Sequence, residues 1–441
     1  MGTFGGALIL TISLLITCSL VLTILFYSTT NQFQPELSGL IILPLFISAF
    51  QNIYLGIVAY QIDQLALQIF LMLHWVWAIV ILAGILIVDV NKPKGDFGYK
   101  VLLIFIAVIL YAIALFAVYR GSPISMFSSF RNLSTPLLFF SLGYFVTRYV
   151  RLEVFLFYLR GIGWFIVIFG FVEYLFDRQV WPLLNIDMLW IKKGITNLAS
   201  WGFPENFVSS EKFFGKQIRR MASSYADPVN FGAVIFLIVA VSWYAKKYFL
   251  MWAAVACCFL AISKGAFVGL LLLFVTRTFY YASKIKFAVI STISLAVGIG
   301  FLVYSAFHST QSVAAHSEGL LAALRTLPSY PIGRGLGNVG VYSGGESEIK
   351  ESGAGVIIGQ LGIVGILLYG YFFLSIARKV FTVVDLRQRA FAVVLIGSIL
   401  INITFNEVAL SPNSAAGYFI LLGIILGMTD IMHSSEKIST A

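Results

Sequence analysis

The sequence predicts an all-α integral membrane protein with about 12 to 14 spanning helices, and three observations carry this reading. Of 441 residues, 60% are hydrophobic and 11% are charged, whereas a soluble domain is nearer half apolar and a quarter charged. Mean hydropathy is +0.94. The apolar residues gather into runs of about 20, the length a helix needs to cross the hydrocarbon core of a bilayer. A soluble enzyme, a disordered chain and a disulfide scaffold are excluded together. The 40 Phe, 21 Tyr and 8 Trp suit a chain surrounded by lipid, with rings at its interfaces.

Taken in order, the first set of runs lies at 7–27, 39–58, 68–88, 100–119, 133–149 and 152–176. The second lies at 228–245, 248–262, 264–281 and 285–305, and the third at 353–376, 389–408 and 412–430. The runs at 133–149 and 248–262 are short for a crossing. The chain thus divides into five parts: N-terminal helices 1–176, a loop 177–227, central helices 228–305, a loop 306–352 and C-terminal helices 353–441. Residues 1–6 bring no Lys or Arg to the first run, so it reads as a retained helix and not as a signal peptide. Cys18, Cys257 and Cys258 lie inside apolar runs and read as small hydrophobes.

Net charge is +10. In a soluble protein this would suggest nucleic acid; in a membrane protein it suggests topogenic Lys and Arg. One alternating set of connections, from Lys92, Lys94 and Lys100 through Arg148, Arg151, Lys246 and Lys247 to Lys437, holds fifteen basic residues. The short loops of the other set hold three, Arg120, Arg131 and Lys264. This bias puts the first set in the cytoplasm, with the C-terminus inside, and with 13 spans the N-terminus outside. Both long loops, 177–227 and 306–352, then face outward. Polar backbone of that length has to be solvated or packed in protein, and long loops usually carry function.

The first loop begins amphipathic, with Leu183, Leu184, Ile186, Met188, Leu189, Trp190, Ile195, Leu198 and Trp201 interleaved with Asp187, Lys192 and Lys193. This predicts an interfacial helix on the membrane surface or, equally, a packed cap. It ends in Lys212, Lys216, Arg219 and Arg220, followed by Ser223, Ser224 and Tyr225 and then by the next span. Outward Lys and Arg run against the topogenic bias, and a basic pair abutting a helix start makes an anion site from guanidinium forks and free N–H groups. Asp227 fits the cap of that helix and Pro228 its first position.

The second loop carries His316, Arg325, a glycine-rich turn at 331–340 with Arg334 at its centre, and Glu351. Such a turn lets N–H groups approach an anion closely. It is no P-loop, since no Gly-Lys-Ser/Thr follows and no strand precedes it. Lys264 sits at the outer end of a short hairpin, as a snorkelling anchor or as a site residue. Arg160 and Glu173 share one span but lie 13 residues, roughly 20 Å, apart and make no direct pair. Arg160, roughly 12 Å in from the cytoplasmic end, is expected to snorkel or to face a cavity, and His74, Arg120 and Glu407, near span ends, read as anchors or structural hydrogen bonds. The outer loops offer no Asp-x-Asp and no His/Cys cluster, so neither metal nor cofactor is expected.

Four of these segments resemble a known family. Arg220-x-x-Ser-Ser-Tyr-x-x-Pro228 resembles the Arg…Ser/Thr-Phe-x-x-Pro-Asn element of the bacterial O-antigen polymerase and ligase superfamily. Ser263-Lys264-Gly265-Ala266 resembles its Ser-Arg-Gly-Ala element, with Lys in place of Arg. Pro331-Ile-Gly-x-Gly-Leu-Gly-Asn resembles its Pro-Leu-Gly-x-Gly-x-Gly element, and Gln360-Leu-Gly-Ile-Val-Gly365 the start of the span after the large loop. Together they cover about residues 215–375, in family order.

The resemblance implies a GT-C-type glycosyltransferase of the bacterial inner membrane, with two long periplasmic loops. Its donor and acceptor would be polyprenyl-diphosphate-linked glycans, and it would need no metal or other cofactor. Ligases of the family carry a His-Asn pair where this chain has Glu351-Ser352, whereas His316-Ser-Glu-Gly319 matches a His-x-x-Gly segment of capsule and exopolysaccharide polymerases. A polymerase is therefore expected, with inversion at the anomeric carbon.

In that chemistry Arg220, with Arg219, Lys264, Arg325 and Arg334, would stabilise the leaving pyrophosphate and hold the glycan, beside Ser223, Ser224 and Tyr225. His316 or Glu351 would accept the proton. A chain-length regulator and a flippase are partners by family analogy alone. The alternatives are a ligase, which differs in its acceptor, a lipid-oligosaccharide flippase, expected to have short loops and a charged middle, and a non-catalytic assembly partner.

Overall fold

The computed structural model describes residues 34–88, 96–119, 122–193, 202–213, 216–281, 310–340 and 348–439, with scattered positions between 283 and 296. The expected span at 7–27, most of that at 285–305, Cys18 and Arg120 lie outside the described residues. The described chain is 81% helical. The protein is an all-α bundle of membrane-protein character: seven of its described helices are long and apolar enough to cross a bilayer.

The N-terminal helices are α1 (Gln34–Ile57), α2 (Gln64–Val88), α3 (Asp96–Val118), α4 (Pro123–Val146) and α5 (Leu152–Leu175). Two short helices follow, α6 (Asp177–Leu183) and α7 (Ile186–Lys192). The central helices are α8 (Pro228–Tyr244), α9 (Tyr248–Ala261) and α10 (Lys264–Tyr281). Helix α11 (Thr310–Thr326) precedes the C-terminal set of α12 (Gly353–Val380), α13 (Leu386–Phe405) and α14 (Pro412–Ser439). Eleven of the thirteen expected apolar runs are thus helices, the other two being those outside the description.

Two of the short runs have physical explanations. Helix α4 starts ten residues before its apolar run, at Pro123 in the first-turn position that needs no N–H. Its polar first turns pack under the 331–340 turn, where Gly337 abuts Ser125 and Met126. Helix α9, with 14 residues, is only about 21 Å long. It packs against α8, which is buried along nearly its whole length, and turns Phe249, Trp252 and Phe259 outward.

One element departs from the all-α expectation: β1 (Val208–Phe213) and β2 (Lys216–Arg219) form an antiparallel hairpin in the first loop. The amphipathic stretch before it is two short helices broken at Asn185, which adopts a left-handed conformation. Trp181, Ile186, Leu189 and Trp190 are buried with Phe203 and Phe207 in a small satellite core, while Leu183 and Ile191 remain exposed. The segment is a packed cap with two outward apolar residues.

Helices α4 and α14 pack closest of all. Gly423 and Gly427 form a small-xxx-small stripe on α14, facing Gly143 on α4. A Cβ on Gly423 would sit 2.4 Å from the Phe140 carbonyl oxygen, and one on Gly143 2.1 Å from that of Ile420. The pair is pinned where Tyr144 donates to Asp430 at 2.6 Å, with Lys379 on the other carboxylate oxygen at 2.5 Å.

The connections sort to two ends. One end gathers the turns around Tyr144, Lys246, Lys247, Lys379 and Arg387. The other gathers the first loop, the 331–340 turn and the ends of α1, α13 and α14, and is called here the loop end. Gly423→Val forces β-branched bulk against the backbone of α4. It is expected to cost at least about 1–3 kcal/mol, read as a lowered melting temperature of the purified protein in detergent, while Gly370→Ala, at a site with nothing within 4 Å, leaves that temperature unchanged.

Candidate functional site

The loop end is built on a buried carboxylate. Glu173, in the last turn of α5, is fully buried. Arg219 donates from Nη2 to its Oε2 at 2.5 Å, and the backbone N–H groups of Ala222 and Ser223 donate to its Oε1 at 2.8 and 2.9 Å. Arg219 also meets Asp177 at 3.4 Å and the Tyr174 carbonyl at 3.1 Å, and lies over the rings of Tyr174 and Phe203. Gly170, one turn earlier on α5, leaves room for Met221 and Ser223. Ser223 takes a left-handed conformation, with φ of 49°, and its hydroxyl donates to the Ile166 carbonyl at 2.6 Å.

From the turn that Glu173 holds, the chain runs on into α8. Asp227 caps that helix, accepting from the N–H groups of Val229 and Asn230 at 3.3 and 3.0 Å. It also accepts from the side-chain amides of Asn206 and Asn230, at 2.8 and 2.5 Å. The cap and the first-position Pro228 agree with the sequence reading. The anion site inferred there does not, because the cap already faces the first N–H groups with a carboxylate.

A layer of polar side chains surrounds this turn. Asn230 Oδ1 accepts from Ser411 and Ser414, and Asn413 Oδ1 from Ser48 and Gln51. Asn52 donates to the Tyr225 carbonyl at 2.5 Å and accepts from Lys193 at 2.6 Å. Burial pushes the Lys193 amine down to about 8; Asp227 opposes that shift and Arg131 adds to it. Burial also pushes the Tyr225 phenol up.

Arg220 turns the other way from Arg219. Its Nε donates to the Ala261 carbonyl at 2.9 Å and its Nη1 to that of Asn206 at 3.1 Å. The guanidinium therefore closes the C-terminus of α9, where a cation is favoured by the free carbonyls and the helix dipole. The α9–α10 turn follows at once, through left-handed Ile262, to Lys264 at the first position of α10. Arg220 and Lys264, 44 residues apart in sequence, thus meet at one turn.

The same turn touches the last turn of α13. A Cβ on Gly265 would lie 1.8 Å from the Asn402 amide oxygen. From another direction Ser352, which caps α12, donates to the Thr404 carbonyl at 2.7 Å. Glu351 immediately precedes it in a left-handed conformation, with φ of 59°. Strain of that kind in a non-glycine residue persists only where surrounding structure holds it, and it concentrates at functional sites. Lys264 and Glu351, each next to a residue that contacts the end of α13, are both part-buried.

The glycine-rich turn does a different job from the one its composition suggests. Helix α12 breaks at Gly362, with φ of 61° and ψ of −145°. The backbone groups freed by the break are met by the turn. Arg334 N–H donates to the Gly359 carbonyl at 2.8 Å, Gly335 N–H to that of Gln360 at 3.2 Å, and Ile363 N–H to that of Pro331 at 2.8 Å. Gly333, at φ of 87°, lies so close to Gln360 that a Cβ would fall 2.2 Å from its carbonyl oxygen. The N–H groups read from sequence as an anion cradle are thus spent on a broken helix. The Arg334 guanidinium lies 4.6 Å over the Tyr330 ring, its Nε buried without a hydrogen-bond partner.

The predicted site residues therefore separate. Arg220, Lys264, Glu351 and the backbone of His316 belong to the segments around the α13 terminus. His316 lies on α11 one turn before Gly319, whose Cα packs on the Lys350 carbonyl; its side chain is outside the described residues. Arg325, on the same helix, is exposed. Arg219, Ser223, Ser224 and Tyr225 are buried scaffold, which corrects their reading as groups open to pyrophosphate or glycan: Arg219 is held by Glu173, and the other three lie beneath the turn. Sequence reasoning missed Glu173 as the partner of Arg219, and missed Asn52, Asn230, Asn402 and Asn413. An acid in an apolar span was the available signal for the first; nothing marked the asparagines. Among the described residues no group of three or more His, Cys, Asp and Glu is placed to hold a metal ion.

Two outcomes follow. Glu173→Leu leaves Arg219 buried beside Asp177 alone and is expected to destabilise by about 3–5 kcal/mol. Glu173→Leu combined with Arg219→Met is expected to cost less than the sum of the two single changes in a double-mutant cycle of thermal stability. For Lys193, the lowered value in the folded state means that the unfolded state binds more protons between about pH 8 and 10.5. Stability from this group therefore rises with pH across that window, by no more than about 3 kcal/mol, and Lys193→Met is expected to flatten the rise in melting temperature.

In comparisons with known proteins, no protein-family model and no curated protein matches the chain.

Proposed function

We propose that this protein polymerises polyprenyl-diphosphate-linked oligosaccharide repeat units into a cell-surface polysaccharide, at the outer face of a bacterial inner membrane. The observation that carries the reading is that Arg220 holds the α9–α10 turn that bears Lys264, and that this turn and the segment after the strained Glu351 both contact the end of α13, from three separate stretches of sequence. These stretches are also the ones that resemble the O-antigen polymerase and ligase superfamily. They sit at the end opposite the basic turns, which the topogenic bias assigns to the cytoplasm.

In the proposed reaction a sugar hydroxyl of the acceptor repeat attacks the anomeric carbon of the donor glycan. The bond from that carbon to the diphosphate oxygen breaks, and lipid diphosphate leaves with the electron pair. Arg220 and Lys264 stabilise the charge that develops on it, as preorganised cations do most effectively in a site shielded from water. The hydroxyl proton passes to Glu351 or His316, whichever stands within about 3 Å of it. One displacement without a covalent intermediate inverts the anomeric carbon.

The test is a reconstituted assay with purified protein and a defined polyprenyl-diphosphate repeat unit, with products read as a mass ladder. Wild type is expected to give repeat multiples, and Lys264→Met to lose about 10²–10³-fold in rate. Of Glu351→Gln and His316→Ala, the one that abolishes the ladder names the base. A reaction that appears only when a lipid A–core acceptor is supplied would make the protein a ligase. No transfer to either acceptor by folded protein would return the weight to transport or assembly.

A further inference from the structure

At the end that carries the basic turns, a lateral groove of about 1010 Å³ opens between α1, α5 and the α8–α9 turn. Its walls are aromatic: Phe46 stacks on Phe50 at 4.2 Å, Phe50 on Phe165 at 3.9 Å, and Trp164 meets Phe249 at 5.6 Å. Phe46 and Phe249 stay exposed. Three cations line it: Arg160, and Lys246 and Lys247 at its mouth.

Arg160 is the unusual one. It lies eight residues into α5, roughly 12 Å from the helix start. A charge at that depth is costly unless it is paired or meets a polar ligand. Its Nε donates to the Leu156 carbonyl at 3.1 Å, and the guanidinium lies 5.9 Å from the Phe157 ring. No carboxylate among the described residues pairs with Arg160, Lys246 or Lys247. The apolar segments outside the description, 1–33 and 285–305, contain no Asp or Glu.

We infer that this groove binds an anionic membrane lipid, its phosphate held by Arg160, Lys246 and Lys247 and its acyl chains laid along Phe46, Phe50 and Trp164. The lipid belongs to the leaflet at the basic end. The site lies at the opposite end of the bundle from the proposed transfer site and is independent of it. Headgroup phosphate suits two lysines at a turn and an arginine that snorkels toward them, while the aromatic wall offers the tails a fixed surface.

Gly161 supplies a clean probe, since it lines the groove and a Cβ there meets nothing within 4 Å. Gly161→Leu fills the space without disturbing the core. Delipidated protein is titrated with phosphatidylglycerol, with diacylglycerol of the same chains and with inorganic phosphate, and the adducts are counted by native mass spectrometry. Phosphatidylglycerol is expected to be retained about tenfold better than diacylglycerol, and excess inorganic phosphate not to displace it. Gly161→Leu is expected to remove that preference at an unchanged or higher melting temperature, and Arg160→Met with Lys246→Gln and Lys247→Gln to remove it as well. Equal retention of the two lipids, displacement by free phosphate, or full retention in the Gly161→Leu protein would each overturn the site.

Discussion

The loop end depends on one carboxylate. Glu173 is out of water, and a charge there must be met by cations and N–H donors or be lost. All its donors come from five consecutive residues, 219–223, so the carboxylate does more than neutralise a charge. It draws the end of β2 into the bundle and fixes where α8 begins. With Arg219 turned inward, its neighbour Arg220 is directed outward along the extended chain and reaches the α9 terminus. The division of labour between two adjacent arginines therefore follows from the alternation of a strand and the position of one acid.

A second constraint acts on backbone and not on charge. A helix broken inside a bundle frees N–H and C=O groups that have no water to turn to. Helix α12 breaks at Gly362, and the 331–340 turn folds onto the break and takes up those groups. The glycines are needed because backbone meets backbone there; at Gly333 no side chain fits against Gln360, and its φ of 87° excludes one independently. Described parts of both long loops thus pack into the bundle: Arg219, Ser223 and Tyr225 of the first, Leu336 and Val339 of the second. At their edges Arg220 and Glu351 stand part-buried, as does Lys264 of the α9–α10 turn.

Much of this was legible in advance, and the failures have a common cause. Span positions follow from runs of apolar residues, a local property, and the helices α1 to α5, α8 to α10 and α12 to α14 fall on those runs. The Asp227 cap is local too. What composition could not reveal was which partner a polar group has already found. Arg219 and Arg220 are identical in sequence terms, yet one is enclosed by α5 and the other is not. The glycine turn has the composition of an anion cradle, but its Arg334 and Gly335 N–H groups donate to carbonyls at a helix break 25 residues downstream. The β1–β2 hairpin was invisible for a related reason, since it is flanked by tertiary anchors: Phe207, just before β1, is buried in the cap, and Arg219, at the end of β2, is held by Glu173.

The contrast between Glu173 and Arg160 extends this logic. Both sit on α5, 13 residues and roughly 20 Å apart, one near each end of the helix. Both are ionisable groups in a span, where each should have a partner. Glu173 has its partner within the chain and is sealed off completely. Arg160 meets one carbonyl and the edge of a ring, faces a groove with Lys246 and Lys247 at its mouth, and has no acid within reach in any described segment. A charge that no described residue neutralises is one that a ligand can neutralise, and at that depth the available ligand is lipid. One helix therefore carries a closed electrostatic account at the loop end and an open one at the other, and the open one marks where a ligand from the bilayer belongs.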